Sequence, residues 1–333
     1  MSQKHRILVV GVGSIGERHL RCFQSTGRAE MMLCEMNPQL RETVAERYGN
    51  VPTFPDFESA IEEDFTAAIV ATPANLHVPM STMLAERGRH VLCEKPLSSS
   101  LDGVVQLSDV VAATGVTFVM GYTWRSNPVM RSFKSALDSG RYGTPRQMVY
   151  VGGQHWPHYR PAYRVVPYFQ RRETGGGVVQ DALTHMMNLG EWFLGPITHV
   201  TGDHAHLLLE GITMEDTAHV IARHGNVLAS YSTNLTQMPA EGAFTIVTDT
   251  GTLRIEESQR RWRWMDTPAG QWHDESIPDF NHDVPYIDQA HAFLDAVEGK
   301  GPIRCTLDEG ISTLKVNLAV LQAADHHRWE TPG

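Results

Sequence analysis

The sequence predicts an α/β domain built on a doubly wound parallel sheet (residues 1–124), followed by an α+β domain with a large, mostly antiparallel open sheet (residues 125–333). Two observations predict it. Short apolar runs alternate with amphipathic stretches up to "VTFVMGY", and beyond "YTWRSNP" the pattern changes to alternation of apolar with polar residues.

In the first domain the strands are expected in "RILVVGVG", "EMMLCEM", "TAAIVATP", "HVLCEKP" and "VTFVMGY". Between them "SIGERHLRCFQSTG", "PQLRETVAERYG", "NLHVPMSTMLAERG" and "SLDGVVQLSDVVAATG" have helical periodicity and close on glycine. A helix over 128–139 then leads into strands in "RQMVYVGGQHW", "HVTGDHAHLLL", "TAHVIARHG", "VLASYST", "AFTIVTDTGTLRIEE" and "RWRWMDT", with "TDTG" as a hairpin turn. Helices are expected over 176–195, 285–299 and 307–327.

Composition narrows the function. The formal net charge of −10 and the lack of a basic block argue against a nucleic-acid or anionic-membrane partner. No stretch is long and apolar enough to span a bilayer, and the N-terminal apolar run, broken by glycine, reads as a strand rather than a signal peptide. Cys22, Cys34, Cys93 and Cys305 are far apart, which suits reduced thiols and a cytoplasmic location.

"VVGVGSIGERH" puts Gly11, Gly13 and Gly16 in G-x-G-x-x-G spacing between the first strand and the first helix. Gly11 permits the tight turn, Gly13 lets the backbone approach a pyrophosphate, and Gly16 lets helix and strand pack closely, while Ser14 and Ile15 open the helix with amide donors. The second strand ends at Glu35, where a carboxylate accepts hydrogen bonds from a ribose 2′-hydroxyl and repels a 2′-phosphate. NAD is therefore expected in preference to NADP. Thr72, Pro73, Asn75 and His77, in "ATPANLH", lie at the same sheet edge and are expected to touch the cofactor, with Asn75 also suited to cap the next helix.

In "CEKP" a carboxylate and an ammonium, costly to bury unpaired, are expected where the fourth strand emerges into the crevice at the strands' carboxyl ends. Pro96 ends the strand and restricts Lys95 to extended backbone. On this tripeptide alone, Lys95 favouring an alkoxide-like substrate and Glu94–Lys95 forming a solvated pair are equally open.

"GGGVVQDALTHMMNLGEW" carries Asp181 and His185 four residues apart, on one face of a helix. An imidazole can take a hydroxyl proton near neutral pH while a carboxylate orients it; a local hydrogen bond without chemistry is the other reading. In "GGQHWPHYRPAYRVVPYFQRR" His155, Trp156, Tyr159 and Tyr163 are expected to pack on a sugar ring, and Arg160 and Arg164, with Arg125, to grip anionic groups. A subunit-contact loop is the alternative. The histidine pairs lack further ligands at metal-site spacing, so no metal is expected.

The glycine loop, Glu35, "TPANLH", "CEKP", "GYTWRSNP" and "GGGVVQDALTHMMNLGEWFLG" resemble, in order and spacing and over nearly the whole chain, the Gfo/Idh/MocA oxidoreductase family. The resemblance implies a Rossmann N-terminal domain that binds NAD through these loops, Glu94 and Lys95 included. It implies Lys95, Asp181 and His185 as the catalytic residues, all three also touching a carbohydrate-like substrate, a sugar, sugar acid or cyclitol oxidised at a secondary alcohol. It further implies a C-terminal domain that binds substrate and assembles a homodimer or homotetramer. Leu183 stands where a small residue is usual and Asn188 where a second aspartate is frequent, which bears on the substrate class. The family also holds NAD-dependent glycoside hydrolases without net redox change and non-catalytic sugar-binding regulators.

Overall fold

A computed structural model describes residues 4–333. In chain order they form β1 (His5–Val10), α1 (Ser14–Ser25), β2 (Ala29–Cys34), α2 (Pro38–Arg47), β3 (Thr53–Phe54), α3 (Phe57–Ile61), β4 (Ala67–Val70), α4 (His77–Glu86), β5 (His90–Cys93), α5 (Val104–Thr114), β6 (Phe118–Met120) and α6 (Pro128–Asp138). There follow β7 (Pro145–Gly153), α7 (Trp156–Tyr159), α8 (Thr184–Leu194), β8 (His199–Ala205), β9 (Thr217–His224), β10 (Val227–Asn234), β11 (Glu241–Thr248), β12 (Thr252–Glu256), β13 (Arg261–Met265), β14 (His273–Ser276), α9 (Val284–Val297) and α10 (Leu307–His326).

The chain divides into two compact units, one running to Ser126 and including Asn281–Ile311, the other made of Asn127–Phe280 and Ser312–Gly333. In the first, among the described residues, six strands in the order β3-β2-β1-β4-β5-β6 pair in parallel. Order reverses between β1 and β4, which opens a crevice at the strands' carboxyl ends. The strand interiors are apolar on both faces: Leu8, Val9, Ile69, Val91 and Leu92 are fully buried. Burying each such side chain contributes about 1.5–3 kcal/mol.

The first unit is not contiguous, a feature that a single division at 124/125 lacks. Helix α9 returns to α1 because its buried Phe293 meets Phe23, with ring centroids 5.9 Å apart. Arg21 fixes the same pair of helices with a two-pronged bond to Asp283 (2.7 and 2.6 Å), and Thr123 donates to Gln289 at 3.0 Å.

In the second unit eight strands lie in the order β14-β13-β12-β11-β7-β10-β9-β8, antiparallel except for β7 against β10. Met148, Tyr150, Tyr231, Phe244, Ile246, Leu253 and Ile255 are buried on one face, which α6 and α8 cover through Phe133, Phe193 and Phe244 (5.2 and 5.7 Å between rings). The "TDTG" turn joins β11 to β12 as expected. The two-residue β3, the short α3 and α7 and the exposed β14 have no counterpart among the sequence expectations, because each is too short or too polar to show a period.

Candidate functional site

The glycine turn is built as its spacing requires. Gly11 has φ +84°, and a Cβ on Gly16 would overlap the Gly11 carbonyl oxygen, so helix and turn are in backbone contact. Gly13 is the uncapped N-cap of α1, and a Cβ there would meet nothing within 4 Å. Free amides at Ser14 and Ile15 above an open glycine suit a pyrophosphate. Glu35, one residue past β2, accepts the Val12 amide at 3.2 Å and the Asn37 amide at 2.9 Å, which holds its carboxylate against the glycine loop. These residues fit a dinucleotide whose ribose carries a free 2′-hydroxyl.

In the loop after β4, Asn75 lies exposed inside a 3₁₀ turn (Ala74–Leu76) and does not cap α4, the reading that competed with cofactor contact. His77 has the constraining part. It is buried, with Nδ1 2.8 Å from the Pro96 carbonyl oxygen and Nε2 2.7 Å from that of Thr72, so one ring braces the loops after β4 and β5. Burial lowers its pKa.

Beyond β5, Glu94 and Lys95 separate in role. Glu94 is buried, 2.6 Å from His19 Nε2, and accepts the Lys95 amide at 3.1 Å. Burial disfavours its charge, but His19 and Lys95 outweigh burial and its pKa is lowered. The carboxylate expected at the cofactor is thus turned inward, because a buried imidazole offers it the nearest donor. Lys95 is half-buried, and its bond to Pro96 is cis.

The helix bearing Asp181 and His185 starts later than the sequence suggests. Gly177, at φ +92°, ends the glycine run, a π turn (Val179–Leu183) follows, and α8 begins at Thr184. Asp181 is buried within that π turn; Tyr168 donates to it at 3.2 Å and Arg160 Nη1 lies 3.4 Å away. His185, half-buried, is on the first turn of α8. Glu215 packs against Gly177, where a Cβ would overlap its carboxylate, and receives the Val179 amide at 3.4 Å. Burial raises the pKa of Glu215. Leu183 and Asn188 are both buried, Asn188 donating to Thr313 at 2.9 Å.

Three of the expected substrate residues are engaged elsewhere. Trp156 and Tyr163 are buried as the loop's own core, Trp156 on Phe169 at 4.9 Å and the Tyr163 hydroxyl on the Glu210 carbonyl at 2.8 Å. The loop lacks regular structure to bury its aromatic rings, so it folds around them. Arg125 is buried against Glu309 (2.5 Å) and the Arg304 carbonyl, because a buried guanidinium needs a counter-charge. Arg160 faces Asp181, and Arg164 lies 3.3 Å from Glu210, so each arginine expected to hold an anion meets a carboxylate of this chain. Tyr159 is exposed and His155 half-buried.

Sequence reasoning missed Tyr168, although it lies in the same aromatic loop, and missed Glu215, which no local pattern singles out. Among the described residues no group of three or more His, Cys, Asp or Glu is placed to hold a metal ion, and no helix is long and apolar enough to cross a membrane.

Comparison with known proteins adds the lineage. Residues 5–122 match the family model described as an oxidoreductase family with an NAD-binding Rossmann fold, and residues 130–254 match the GFO/IDH/MocA C-terminal domain. The chain is 24% identical over 211 residues to levoglucosan dehydrogenase of Pseudarthrobacter phenanthrenivorans, a match covering 60% of this chain and 53% of that protein. It is 30% identical over 191 residues to inositol 2-dehydrogenase of Acidothermus cellulolyticus, covering 56% and 52%. The matched stretch thus spans about half the length of these relatives. A solved levoglucosan dehydrogenase in complex with NADH and levoglucosan shares the fold, with a TM-score of 0.91 at 18% identity over 99% of both chains.

Proposed function

The chain belongs to the GFO/IDH/MocA oxidoreductase family, with its NAD-binding Rossmann fold, and from that premise we propose that it is an NAD-dependent dehydrogenase oxidising a secondary alcohol of a sugar or cyclitol. The observation that carries this reading is Asp181, a buried carboxylate fixed by Tyr168 and Arg160 on the π turn that leads directly into His185. NAD, when bound, supplies the acceptor for the hydride that leaves the carbinol carbon. His185 takes the hydroxyl proton, and Asp181 orients it and favours the imidazolium. The Lys95 ammonium stabilises negative charge on the substrate oxygen as the proton departs. Glu35, Gly13 and the first amides of α1 hold the dinucleotide.

The test is NAD reduction by purified protein across inositols, anhydrosugars, aldoses and uronic acids. Turnover is expected to fall by about 10²–10⁴-fold in Lys95→Ala and His185→Ala, with NADH affinity kept in His185→Ala. Full turnover in either variant sinks that residue's role. Release of an aglycone from glycosides without net NAD reduction would replace the dehydrogenase with a hydrolase.

The relatives named above make a neutral ring polyol the first class to try. We propose also that a second copy of the chain covers the outer face of the large sheet, where Val151, Ile221, Leu228 and Val247 are exposed on the same face of four adjacent strands.

A further inference from the structure

On the helix-covered face of the large sheet, one end carries two glycines in register: Gly152 of β7 pairs with Gly242 of β11. Their missing side chains leave room, and two polar groups occupy it. The Tyr150 hydroxyl lies over Gly152, where a Cβ would overlap it, and the Glu257 carboxylate lies over Gly242, 2.5 and 2.8 Å from where a Cβ would stand. Among the described residues Glu257 Oε1 is buried and has no hydrogen-bond partner. Burial pushes the Glu257 carboxyl up to about 7.

A carboxylate oxygen buried without a donor, as Oε1 of half-buried Glu257 is, is costly, so a site that keeps one keeps it for a partner that arrives. Its surroundings indicate which. Gly153 of β7 leads into Gln154 and the loop whose Arg160 and Tyr168 reach Asp181. At the same end, Leu235, one residue past β10, bonds the Asp216 carbonyl, and Val178 bonds that of Glu215. Glu257 therefore lies at the end of the sheet where the Asp181-bearing π turn begins.

We propose that Glu257 is a substrate-binding residue whose carboxylate, beside the Tyr150 hydroxyl, accepts hydrogen bonds from donor groups of the ring substrate, hydroxyls or an ammonium. This rests on the dehydrogenase reading and narrows it. A substrate carboxylate or phosphate at this position would meet an acid with no cation, and Arg125, Arg160 and Arg164 already face Glu309, Asp181 and Glu210.

The experiment compares the NAD-loaded protein with Glu257→Gln, using myo-inositol for hydroxyls, glucosamine for an ammonium and glucuronate for a carboxylate. Turnover is read together with the ¹³C signal of the Glu257 carboxyl, assigned by its loss in the variant. The expected result is a shift of that signal by myo-inositol or glucosamine but not by glucuronate. A KM at least tenfold higher in Glu257→Gln, with NAD affinity unchanged, is also expected. A shift without turnover supports the binding role and removes the dehydrogenase; turnover with equal KM in both proteins overturns the binding role and leaves the dehydrogenase. Neither shift nor turnover with any probe overturns both.

Discussion

At the scale of single residues, Glu35 and Glu257 are both carboxylates, and their surroundings separate them. Glu35 accepts two backbone amides at the glycine loop, where a 2′-phosphate would be repelled. Glu35→Ser removes that repulsion and should cut the preference for NADH over NADPH by about tenfold, measured by fluorescence titration of both. An unchanged ratio would mean that another residue selects. Glu257 is half-buried with Oε1 out of solvent and without a donor, and desolvation raises its pKa from 4.5 to about 7 on folding. The folded state then holds a proton that the unfolded state releases between those values. Its contribution to stability is fully present below pH ~4.5 and is lost as pH rises through ~7, by at most about 3 kcal/mol. Glutamine does not titrate, so the Tm advantage of Glu257→Gln over wild type should grow from about pH 5 to about pH 8. A constant difference would mean an ordinary carboxylate. The same variant should thus be more stable and bind substrate less well, the usual exchange at a strained site.

At the scale of elements, the junction from the glycine run into α8 decides where Asp181 and His185 point. A four-residue separation stacks them on either helix type, and the spacing is legible in the sequence. The π turn is not, because the unwinding reflects what packs against it: Gly177 at φ +92° is in contact with the Glu215 carboxylate, which also takes the Val179 amide. Gly177→Ala should cost about 1–3 kcal/mol and lower kcat more than NADH affinity. Chemical denaturation with parallel kinetics on the folded protein checks both; an unaltered kcat would show that the turn does not position the pair. Asn75, an N-cap by residue type, was displaced when the chain inserted a 3₁₀ turn before α4.

At the scale of the whole molecule, the outer face of the large sheet is where pairing with a second copy is proposed. Val151, Ile221, Leu228 and Val247 lie exposed on four adjacent strands. Ile221→Lys combined with Val151→Lys should convert the assembly to monomers in sedimentation velocity. The fold itself should lose little, since exposed substitutions change stability by about 0.5 kcal/mol. Wild type sedimenting as a monomer would end that proposal.

The sequence by itself determined what is encoded locally: the alternation of strands and helices, the glycine turn with its acid after β2, the "TDTG" hairpin and the spacing of Asp181 and His185. Period, turn chemistry and separation along one element are short-range properties, so a chain displays them without folding. Only the tertiary structure decided which charged groups meet. Glu94 finds His19 across 75 residues and Arg125 finds Glu309 across 184, each because burial obliges a charge to take the partner that packing provides. Helix α9 returns to α1 for the same kind of reason, to bury Phe293 on Phe23. Glu257 is the converse case: the fold sets its carboxylate over a glycine pair and buries Oε1 without a donor, which no local pattern encodes.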